Sequence, residues 1–63
     1  MTNKEKLIAE VQRVKSVLEA VELGGENMRA AMIQYKLKEA ERVLWWESER
    51  GIAQSLKELE GIV

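Results

Sequence analysis

The chain has 63 residues, 10 Lys plus Arg against 11 acids, and a net charge of −1, with no His, Cys or Pro. Near-neutrality gives no global attraction to nucleic acid or anionic lipid. A disulfide framework and a thiolate or imidazole metal site are excluded, as are catalytic sites that need His, Cys or Asp, because every acid is Glu.

Thr2-Asn3-Lys4-Glu5 fits a capping box, which predicts a helix start. Leu7, Val11, Val14, Leu18 and Val21 then recur in steps of 4, 3, 4 and 3, one narrow apolar seam. Arg13, Gln12, Ser16 and Glu19 fall on the opposite, polar face. Leu23-Gly24-Gly25 should end this helix, with Gly24 in the left-handed C′ position. The predicted order is a helix at about 3–23, a Gly24-Gly25 turn, and a helix at about 26–60, all in one helical domain spanning 1–63.

The second helix has its own seam at Ala30, Ile33, Leu37, Ala40 and Leu44. A later stripe, Trp45, Ile52, Leu56, Leu59 and Val63, is turned about 90° from it on a continuous helix. Two arrangements satisfy that offset. In the preferred one the fold is all-α, an antiparallel hairpin with a long second helix. Trp45, Ile52, Leu56, Leu59 and Val63 then join two copies into a four-helix homodimer. In the alternative the helix breaks near Ser48–Gly51 and a short third helix folds back over the hairpin, giving a monomer. Gly51 is the weak point of a continuous helix, at roughly 1 kcal/mol relative to Ala.

Chemistry is scarce. Glu39/Glu41, Glu47/Glu49 and Glu58/Glu60 are spaced by two, so the members of each pair point about 200° apart on a helix and do not converge. The expectation is no catalysis, no cofactor and no metal. The basic residues are interleaved with Glu, as on a solvated helix face. Val43-Leu44-Trp45-Trp46 is the longest run of large apolar residues, and the N-terminus lacks an apolar leader core, so a cytoplasmic protein with no membrane partner is expected.

Adjacent tryptophans diverge by about 100° on a helix. Trp45 shares the later stripe and is expected to be structural. Trp46 aligns with Met28, Met32 and Tyr35 in a second stripe, interrupted by Glu39 and Arg42. Such a stripe is either bundle core or a partner-binding patch, since Trp, Tyr, Met and Arg are enriched at interfaces. The functional expectation is a non-catalytic interaction module. It would be a small helical adaptor, regulator or inhibitor, acting as a homodimer and binding another protein through Met28, Met32, Tyr35 and Trp46. The alternative is a nucleic-acid-binding hairpin dimer. In size and topology it resembles the Rop-type RNA-binding bundles of plasmids, with no shared residue pattern.

Overall fold

The computed structural model describes residues 2–46 and 48–62. Among them the secondary structure is entirely helical: α1 (Asn3–Leu23), α2 (Asn27–Trp46) and α3 (Glu49–Glu60). Each helix packs against both others, and the bundle measures 34 × 18 × 17 Å.

The capping box forms at the start of α1. The Glu5 amide donates to Thr2 Oγ1, and the Thr2 amide donates to Glu5 Oε1, each at 3.2 Å. The backbone and hydroxyl hydrogen bonds from Thr2 hold the Glu5 carboxylate below its ordinary pKa.

The end of α1 differs from expectation by one residue. Gly24 stays right-handed at φ −78°, and Gly25 takes the left-handed position at φ 79°. The Glu26 amide then donates to the Val21 carbonyl at 3.3 Å and the Gly25 amide to the Glu22 carbonyl at 3.1 Å. That is the paired bonding of a Schellman motif with Gly25 at C′. α2 starts immediately after it, at Asn27, and packs against α1.

The continuous helix over 26–60 is not formed. α2 ends at Trp46, and Ser48 caps a separate α3. Ser48 is extended, at φ −76° and ψ 116°, and its hydroxyl accepts from the Gly51 amide at 3.3 Å. The break answers the offset between the two apolar stripes. A straight helix would hold Ile52, Leu56 and Leu59 away from α1, whereas the break at Ser48 lets α3 pack against both α1 and α2. One cluster results, formed by Leu7, Val11, Val14 and Val21 of α1, Ala30, Ile33, Leu37 and Ala40 of α2, and Ile52, Leu56 and Leu59 of α3, with Ile62 beyond it. Val17, Leu18, Val43 and Leu44 pack at its margin, half-buried.

Gly51 has a positive role at this corner. A Cβ there would lie 3.1 and 3.2 Å from the two Cγ atoms of Val43, inside ordinary contact distance. The missing side chain lets the first turn of α3 approach α2. Val43 is β-branched and has one preferred rotamer in a helix, so it cannot swing aside easily. Gly51→Ala should therefore gain nothing from its better helix propensity, which elsewhere is worth up to about 1 kcal/mol. In a Val43→Ala background the same change should stabilise. Urea unfolding of the four chains of this double-mutant cycle checks the coupling. A stabilised Gly51→Ala single variant would show that the close approach is not a constraint.

Candidate functional site

Four of the exposed large apolar side chains lie on the solvent-facing side of α2, while Ile8 and Leu23 of α1 and Trp45 are exposed elsewhere. Met28 is 90% exposed, Met32 50%, Tyr35 68% and Trp46 72%. On the helix these four residues lie within about 60° of one another, nearly opposite the buried Ala30, Ile33, Leu37 and Ala40. The structure thus brings the four expected partner-binding residues onto one face and leaves that face uncovered by the chain itself.

Glu39 and Arg42, first read as interruptions, belong to the same face. Arg42 Nη1 donates to Glu39 Oε1 at 3.4 Å, one turn apart on the exposed side. The signal in the sequence was the spacing. Met28, Met32, Tyr35, Glu39, Arg42 and Trp46 step by 4, 3, 4, 3 and 4 without a gap once polar residues are admitted.

No family model, no curated protein and no solved structure matches the chain.

The residues expected to join two copies are placed otherwise. Ile52, Leu56 and Leu59 are buried within one chain, because α3 folds back instead of projecting. Val63 lies outside the described residues. Trp45, expected to be structural through its alignment with Ile52 and Leu56, is 82% exposed. That alignment held only for a continuous helix. With the break at Ser48, Trp45 stays on α2 and the rest of its stripe moves away.

Electrostatically the surface is finely mixed. Arg13 pairs with Glu10 at 2.8 Å, Lys15 of α1 with Glu41 of α2 at 3.4 Å, and Arg29 with Glu26 at 3.9 Å. Such pairs offset positive charge where they form. A shallow cleft of about 300 Å³ lies where α1 and α3 begin side by side, lined by Thr2, Asn3, Lys4, Glu49 and Ile52. Among the described residues no group of three acids converges as a metal site would require, and no helix is long and apolar enough to cross a membrane.

Arg13 lies outside the candidate surface but organises the bundle. Its Nη1 donates to the Ile62 carbonyl at 2.8 Å and its Nη2 to the Leu59 carbonyl at 2.9 Å. The same guanidinium donates to Glu10 Oε2 through Nε and Nη2. Its pKa is raised, first by the Glu10 hydrogen bond, so the cation persists. Arg13 is exposed, as its place on the polar face predicts, and it also binds the Leu59 carbonyl in the last turn of α3 and the Ile62 carbonyl beyond it.

Proposed function

We propose that the protein is a non-catalytic protein–protein interaction module, a small helical adaptor, regulator or inhibitor whose working surface is the outer face of α2. The supporting observation is the exposure of Met28, Met32, Tyr35 and Trp46 together on one helix face. A row of exposed apolar and aromatic side chains on one helix face, with the Glu39–Arg42 pair between Tyr35 and Trp46, has the mixed character of a recognition surface. Tyr, Trp and Arg are also the side chains that most often anchor such surfaces. The paired basic residues give the nucleic-acid alternative no particular support.

A photo-crosslinking amino acid placed at Tyr35 in the cells that make the protein tests this reading, with Gln12 on the exposed side of α1 as control. Adducts of protein mass are expected from position 35 and not from position 12. Trp46→Ala should reduce their yield. Because both indoles are largely exposed, Trp45→Ala and Trp46→Ala should each shift the melting temperature by no more than a few degrees, far from the effect of truncating a buried Trp. Equal labelling at the two positions, or none at either, would refute the assignment.

A further inference from the structure

The spacing 4, 3, 4, 3, 4 from Met28 to Trp46 is a seam of a/d type, about 80° wide, on the far side of α2 from the core. The helix thus carries two such seams, and its own chain fills one. The outer seam has the same spacing read from either end. Its centre holds one acid and one base, one turn apart.

Those properties make it self-complementary. Two copies related by a twofold axis lay this helix antiparallel on itself, so that residue i meets residue j and j meets i. Pairing the seams in that way can set Glu39 of each copy against the second copy's Arg42. The same register sets Tyr35 of each copy against the second copy's Trp46, so two aromatic pairs flank four alternating charges. A parallel copy in register would oppose Glu39 to Glu39 and Arg42 to Arg42, which is repulsive. An unrelated helix would have to supply its own acid and base at matching positions.

We propose that the exposed seam of α2 is a homodimerisation surface, on which a second copy of this chain seats antiparallel with Glu39 facing its Arg42. The inference rests on the reading of α2 as the interaction surface and names the occupant. The existing Arg42–Glu39 contact within one chain is a single long one at 3.4 Å, with side chains 66% and 41% exposed, so the five-donor guanidinium fork remains open to a closer carboxylate. The overlap from Tyr35 to Trp46 is short. It buries at most about 1,200 Å² in total, the lower end of specific interfaces, so the dimer belongs in the micromolar range or weaker.

Sedimentation equilibrium of the full chain from about 1 µM to about 1 mM should show a monomer passing to a dimer. Glu39→Arg alone and Arg42→Glu alone bring like charges face to face, and each should weaken the dimer more than about tenfold. An equimolar mixture of those two single variants restores opposite charges at every facing pair and should dimerise again. So should the double variant E39R/R42E. Both positions are at the surface, and circular dichroism should show all four chains folded. A parent chain monomeric throughout the range overturns the inference, as do single variants that dimerise like the parent or a mixture and double variant that do not recover. If the chain stays monomeric while position 35 crosslinks to another protein, the second-copy inference falls and the interaction reading stands. If position 35 crosslinks to nothing, the interaction reading itself falls.

Discussion

Val14→Asp should leave the chain largely unfolded at room temperature. Val14 is fully buried in the apolar cluster shared by all three helices. A carboxylate at that position either ionises without a partner or protonates at the expense of binding energy, and either route costs several kcal/mol. A stable domain of this length has only roughly 3 to 9 kcal/mol in hand. The far-UV circular dichroism of Val14→Asp should therefore lose most of its helical signal, with no cooperative melt. A cooperative melt close to that of the parent would show that Val14 is not in the core.

Arg13→Asp, one residue away, should also be strongly destabilising. On a polar face a charge reversal would be close to neutral. Here it removes the donors from the Leu59 and Ile62 carbonyls and sets a carboxylate against the negative end of the α3 dipole, beside Glu10. Thermal melts should rank the parent above Arg13→Lys and Arg13→Lys above Arg13→Asp, since Lys keeps the charge but not the fork that spans two carbonyls. An Arg13→Asp chain that melts with the parent would mean that this cap contributes nothing.

Much of α1 and α2 was legible because their signals are local. The capping box at Thr2–Glu5, the seam from Leu7 to Val21 and the seam from Ala30 to Ala40 each follow from periodicity within one helix. The turn was legible to within a residue. Gly24 and Gly25 are chemically equivalent, and only the bonding back to Val21 and Glu22 decides which becomes left-handed.

The third helix was visible as an offset between stripes, but the offset alone admits both a second chain and a fold-back. Two details that favour the fold-back carry weak sequence signals. Ser48 is an ordinary serine until it caps a helix, and Gly51 looks like a defect until Val43 is beside it. The tie from Arg13 to the end of the chain carries no local signal, because those two acceptors lie 46 and 49 residues away. For the candidate surface, the apolar members were found by angle. Glu39 and Arg42 share that face by spacing but not by hydrophobicity, so an apolar pattern alone does not reveal them.

The bond from Arg13 to Ile62 also has a place in time. The α1–α2 and α2–α3 contacts each close a short connection, whereas joining α1 to α3 closes nearly the whole chain. Loop-closure entropy grows with the length enclosed, so this junction is expected to form late on the way to the native state. The cap can bind only when α3 has already been wound and docked. It therefore belongs to the barrier against unfolding rather than to the search for the fold, and its loss would register as a shorter-lived native state at nearly unchanged folding speed.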